Sequence, residues 1–202
     1  MKPKHLTLAL FALTISAVIL TTGCGQEETP TATPAASQPS APATAQPTAS
    51  LSTYDSPDHG IRIKYPTDWE IEDIVLGALS GVAFVAPREN VSDIFQENVN
   101  IIVEDLSDQP MTLDEYTELS VQQLEQSVTD LNILDSSPFT LTDIPGHKVV
   151  YTGKQGQYDL KWMQVWTVKN DKAYVISYTA ETDTYSAFLG TAQEMIDSFE
   201  IT

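Results

Sequence analysis

Tyr158-Asp-Leu-Lys-Trp-Met-Gln-Val-Trp-Thr-Val-Lys169, then Asn170-Asp171, then Lys172-Ala-Tyr-Val-Ile-Ser-Tyr-Thr-Ala-Glu181, is the stretch that decides the fold. Two alternating runs rich in β-branched and aromatic residues meet at a dipeptide that tolerates positive φ, the pattern of a tight hairpin. With Asn170 and Asp171 as the loop, Trp166 falls opposite Val175 and Trp162 opposite Thr179. On the other face Val165 falls opposite Ile176 and Met163 opposite Tyr178. Both faces are apolar. A sheet with one wet face alternates apolar and polar, so this hairpin is expected at the centre of a sheet with cover on each side.

The cover is legible on either side of it. After Asp183 as N-cap, Tyr185, Phe188, Leu189, Ala192, Met195, Ile196 and Phe199 keep helical three-four spacing. Upstream, Thr112 and Glu115 form a capping-box pattern ahead of Leu113, Tyr116, Leu124 and Val128, which share one helical face. Ile61, Ile63 and Tyr65 alternate with Arg62 and Lys64 and lead through Pro66-Thr67-Asp68 into Trp69 and Ile71, which reads as a strand pair. Val82 to Ala86 and Val99 to Glu104 read as further strands, Leu131 to Leu141 as extended, Ile144-Pro145-Gly146 as a turn and Lys148 to Thr152 as a strand. The expected domain, residues 51–202, is α+β: a three-layer α/β/α sandwich with a mostly antiparallel central sheet.

The first 50 residues have a different character. Lys2 and Lys4 precede an apolar run from Leu6 to Leu20, closed by Thr21-Thr22-Gly23-Cys24, and Cys24 is the sole cysteine of the 202-residue chain. A basic start, an apolar middle and small residues before a cut site form an export signal, residues 1–23. The run falls short of the roughly 20 apolar residues that a spanning helix wants and has no basic flank after it. Residues 24–50, with Pro30, Pro34, Pro39, Pro42 and Pro47 and no large apolar side chain in 25–50, read as a disordered, extended linker. Removing residues 1–23 leaves 8 Lys+Arg against 28 Asp+Glu, a formal charge of −20, which excludes nucleic acid and anionic headgroups as surface partners. No Lys or Arg lies between Arg88 and Lys148, where thirteen acids fall. That stretch serves as a soluble face, as a patch steering a basic partner or divalent cations, or as an adaptation to a salty habitat.

Thr21-Thr22-Gly23-Cys24 resembles the lipobox of bacterial lipoproteins, apart from Thr21 where leucine is usual. That resemblance implies a lipidated Cys24 (palmitate among its acyl chains) at the mature N-terminus, with a plain secretory signal as the alternative. Two acyl chains suffice for stable anchoring. The segment Gly60-Ile-Arg-Ile-Lys-Tyr-Pro-Thr-Asp-Trp69, the strand Glu97-Asn-Val-Asn-Ile-Ile-Val103, and Val168-Lys-Asn-Asp-Lys-Ala-Tyr-Val175 leading to Ile196-Asp-Ser-Phe-Glu-Ile201 resemble PsbP-domain proteins. The Tyr-Pro-x-x-Trp and C-terminal helix pattern is also similar to that of DcrB-like lipoproteins. The resemblance spans residues 53–202. It implies an α/β/α sandwich, a setting outside the cytoplasm or in the thylakoid lumen, and no catalysis. PsbP itself serves photosystem II. This chain departs from it in a much shorter segment between Tyr151 and Leu160 and in lacking histidines at that protein's metal-binding positions.

The inventory for chemistry is thin. Past residue 23 there are two histidines, His59 and His147, and neither a Gly-x-Ser-x-Gly element nor a glycine-rich phosphate loop. His147 reads as an ordinary exposed histidine. Asp55, Asp58 and His59 form the one compact metal-like cluster, able to take Ca²⁺ or Zn²⁺ weakly, although acidic turns are common. Asn90-Val91-Ser92 matches a glycosylation sequon, which in a bacterial lipoprotein is expected to be chance. Trp162 and Trp166 could stack a ligand, but hairpin packing accounts for both. No catalytic, cofactor or metal residue is assigned, and the site residue is Cys24, for lipidation. The expected function is a non-enzymatic, lipid-anchored module binding an extracytoplasmic membrane protein complex, photosystem II if the source is photosynthetic. The alternative is a DcrB-like envelope lipoprotein binding a small ligand or divalent cation.

Overall fold

The computed structural model describes residues 50–202 apart from 77, 78, 92 and the side chain of Leu76; the leader, Cys24 and the linker up to residue 49 lie outside the described residues. Strands β8 (Tyr158–Lys169) and β9 (Lys172–Glu181) form the expected hairpin, with Asn170 and Asp171 at φ 52° and 55°. Asn and Asp tolerate this left-handed region, and two such residues give the turn whose twist suits a hairpin. All four expected cross-strand pairs are present. The hairpin is central. With β3 (Glu70–Leu76), β4 (Leu79–Val85), β5 (Asn98–Asp105), β6 (Thr129–Leu141) and β7 (Ile144–Gln155) it builds a seven-stranded antiparallel sheet of order β3-β4-β5-β9-β8-β7-β6.

Both faces of the sheet are covered. Helix α1 (Leu113–Ser127) starts at the expected capping box: Thr112 N–H donates to Glu115 Oε2 at 2.8 Å and Glu115 N–H to Thr112 Oγ1 at 3.3 Å. It lays Tyr116 and Leu124 over Val149, Tyr151, Trp162 and Trp166. Helix α2 (Tyr185–Asp197) places Tyr185, Phe188, Ala192, Met195 and Ile196 over Val99, Ile101, Val165, Ile176 and Tyr178. Each such fully buried aliphatic or aromatic side chain contributes about 1.5–3 kcal/mol.

Three local expectations are corrected. Residues 61–65 and 69–71 do not pair with each other. Instead β1 (Leu51–Ser56), β2 (Ile61–Pro66) and β10 (Glu200–Ile201) make a separate three-stranded sheet, in which β1 and β10 occupy both edges of β2. With no edge of β2 left, the turn closed by Trp69 N–H to Pro66 O at 3.0 Å sends the chain into the larger sheet. Trp69 is buried near Phe188, ring centroids 6.3 Å apart. Ile61 and Ile63 share the α2-side core, so that layer is a helix plus a small sheet.

The second correction concerns Ile144-Pro145-Gly146, which lies inside β7; the turn is Thr142-Asp143, at φ 50° and 62°. Pro145 sits one residue before pairing with β8 begins at Gly146↔Thr167, a strand-end position that tolerates a missing N–H. Lastly, the α2 N-cap is Thr184 rather than Asp183. Its backbone is helical, at φ −95° and ψ −12°, rather than extended as in a capping residue, and its hydroxyl makes no cap bond but donates to Glu97 Oε1.

Candidate functional site

The expected metal-like cluster does not converge. Asp55 Oδ2 accepts from Arg62 Nη2 at 2.7 Å and from Nε at 2.9 Å, a two-pronged pair beside β2. His59 Nδ1 lies 2.8 Å from Ser56 Oγ and its Nε2 3.2 Å from Ser80 Oγ on β4, so the ring ties the β1–β2 turn to the larger sheet. Among the described residues no group of three or more His, Cys, Asp or Glu is placed to hold a metal ion.

His147 is half-buried, not an ordinary exposed histidine. Its ring stacks on Trp166 at 5.5 Å and 28°, and Nε2 lies 2.9 Å from Ser136 Oγ. Burial pulls its pKa down, with Asp135 and Asp114 opposing, so the neutral ring is favoured. In a Ser-His-Asp arrangement a carboxylate orients the histidine base. The adjacent Asp135 is engaged elsewhere, by Lys148 Nζ at 3.0 Å and Ser137 Oγ at 3.2 Å. Among the described residues no hydrogen bond links a carboxylate to the His147 ring.

Both hairpin tryptophans are core. Trp166 donates Nε1–H to Thr117 Oγ1 on α1 at 2.9 Å, and Trp162 stacks on Tyr151 at 4.9 Å and 16°. Neither has a face free for a ligand, since each is only 1% exposed. Asn90 and Val91 are exposed, and Ser92 lies outside the described residues.

Sequence reasoning missed the acidic end of the large sheet. There a cleft of about 590 Å³ is lined by Asp130, Asp159, Glu181 and Asp183 against one Lys154. Lys154 Nζ is 3.5 Å from Asp130 and 3.9 Å from Asp159, which leaves an excess of negative charge facing the opening. Beside it Glu97 is buried, and its carboxylate accepts the Thr184 hydroxyl at the start of α2. Burial pushes the Glu97 pKa up against that hydrogen bond, with Asp93 and Glu89 adding to the rise; burial, Asp93, Asp183 and Glu89 push Glu181 up as well. This arrangement can attract a cationic group by field. The acid-rich run from Glu89 to Asp143 hinted at the charge, but only the end of β9 and its connection to α2 bring Glu181 and Asp183 beside it.

The family model for PsbP-like protein matches residues 9–201. No curated protein matches the sequence. Among solved structures, cyanobacterial PsbP (CyanoP) from Synechocystis superposes with TM-score 0.55 at 16% identity, covering 76% of this chain and 94% of that one. LpqN of Mycobacterium tuberculosis, described as involved in cell envelope biogenesis, gives 0.52 at 14%, covering 76% and 91%. A Pseudomonas aeruginosa protein of unknown function, a putative regulator, gives 0.51 at 10%, covering 73% and 94%. At these identities the structural likeness is one of fold. The family match covers well over half of the chain, and the chain belongs to the PsbP-like protein family.

Proposed function

We propose that this chain is a non-enzymatic, lipid-anchored module that binds or helps assemble an extracytoplasmic membrane protein complex. Membership of the PsbP-like family is the observation that carries the reading. Cyanobacterial PsbP and LpqN, the latter described as involved in cell envelope biogenesis, are similar in fold, which supports a setting outside the cytoplasm. In a photosynthetic source the complex is photosystem II. Cys24 supplies the anchor, residues 25–50 hold the domain off the membrane, and the acidic surface selects basic partners over phosphate-rich ones. The test is co-purification of the full-length protein from gently solubilised native membranes. One membrane complex enriched over a charge-matched control is expected, and no enrichment would refute the role.

A second reading, capture of a small cation or cationic ligand, is favoured by the cleft in which Asp130, Asp159, Glu181 and Asp183 face one lysine. Calorimetry with Ca²⁺, Zn²⁺ and Mn²⁺ decides its metal form, and no heat at millimolar ion would remove it.

A further inference from the structure

The large sheet has two edges, and they are built differently. An open edge strand is a template for pairing with another chain, and proteins usually blunt it with proline, bulges or charged side chains, lysine above all. The β6 edge is blunted: it carries Pro138, and its register with β7 breaks between Thr129 and Asn132 and again between Ile133 and Asp135. The β3 edge is blunted by its acids alone. It pairs with β4 residue for residue from Glu70↔Val85 to Leu76↔Leu79, with no proline, no lysine and no register shift. Its far side has no strand neighbour among the described residues, and Ile71 and Val75 are 41% and 76% exposed.

Charge selects the occupant. Glu70, Glu72 and Asp73 lie within this short strand, and among the described residues none of them enters an ion pair. A second copy paired antiparallel through β3 would set two such triplets of carboxylates against each other, and like charges across a ladder are destabilising. We propose that β3 is a docking edge for a basic, extended segment of another protein, added to the sheet as a further strand. In such an addition main-chain hydrogen bonds supply affinity and alternate side chains supply specificity. The fitting segment carries Lys or Arg on the face of Glu70 and Glu72 and apolar residues on the face of Ile71 and Val75, which Asp73 shares. This inference rests on the binding-module reading and names the surface that it uses.

The test is hydrogen exchange on the full-length protein in mild detergent, with a capped nine-residue peptide of alternating lysine and valine as probe. A glutamate-valine peptide of the same length is the control. With the lysine peptide at about ten times its Kd, amides in residues 70–76 should exchange about tenfold more slowly. The protection should fade at high salt and disappear in Val75→Lys and in Glu72→Lys, while residues 129–141 stay unchanged. Thermal melting shows that both variants are folded. The proposal is overturned by absent protection, equal protection from the glutamate peptide, protection at residues 129–141, or protection that needs only more of the protein itself. A membrane complex that co-purifies undiminished with Val75→Lys would also overturn this docking edge, while leaving the binding role standing. Protection by the peptide without any co-purifying complex would do the reverse.

Discussion

Truncating Trp166 tests whether α1 is seated on the sheet as described. The indole is buried, donates Nε1–H to Thr117 Oγ1 at 2.9 Å, meets Tyr116 edge-on at 6.5 Å and is stacked by His147 at 5.5 Å. Trp166→Ala removes that volume from a closed site and should cost about 3–5 kcal/mol. For a domain with about 5–15 kcal/mol in total, and a urea slope of about 1–3 kcal/mol/M, the midpoint falls by one molar or more. Trp166→Phe keeps an aromatic ring but loses the donor. A double-mutant cycle with Thr117→Val then isolates a coupling of about 0.5–1.5 kcal/mol, the net worth of one such hydrogen bond. As a control, Ile71→Ala on the open edge should stay within about 0.5 kcal/mol. Urea unfolding followed by circular dichroism reads all of these. A Trp166→Ala cost below about 1 kcal/mol, together with zero coupling to Thr117, would refute the placement of α1.

Glu97→Gln tests the buried carboxylate by pH. Because burial raises the folded pKa of Glu97, the folded state holds its proton more tightly than the unfolded one, and stability from this group falls as pH rises from the ordinary carboxylate value through the raised one. Glu97→Gln should therefore be more stable than the parent at pH 7 and lose that advantage by pH 3; an advantage constant with pH would contradict this. Gly81→Ala should disrupt the β4–β5 pairing, since an added Cβ would stand 2.0 Å from Ile101 O, and a melting temperature equal to the parent's would count against the register. Thr112→Ala should cost about 1 kcal/mol through loss of the capping box, read by urea midpoint. Cys24→Ala should leave the melting temperature unchanged and abolish lipid labelling; an undiminished membrane fraction would mean that the leader is retained as a helix.

The hairpin was legible because its information is local: a turn dipeptide suited to positive φ and two runs apolar on both faces leave one register. The capping box of α1 was legible for the same reason. What escaped depends on contacts distant in sequence. β10 is two residues long and forms only because β2 offers a free edge, so no periodicity announces it. Pro145-Gly146 carries the commoner turn signal, yet Thr142-Asp143 turns the chain, with the Thr142 hydroxyl donating to Phe199 O near the end of α2. The sequence left Asp55, Asp58 and His59 as a weak metal-like cluster, and only the folded contacts pair Asp55 with Arg62 and the His59 ring with Ser80 on another sheet. His147 could be placed against Trp166 only through the β7–β8 pairing. The acidic cleft likewise draws its carboxylates from β6, β8, the end of β9 and the connection after it, which composition reports only as net charge.

Sizing the full-length protein after release from its native membrane by mild detergent addresses the binding role most directly. The expected result is co-migration with an assembly much larger than the 22.2 kDa chain, dispersed by high salt as an acidic contact surface requires. Migration as a free lipoprotein under every gentle condition, whatever the salt, would contradict it.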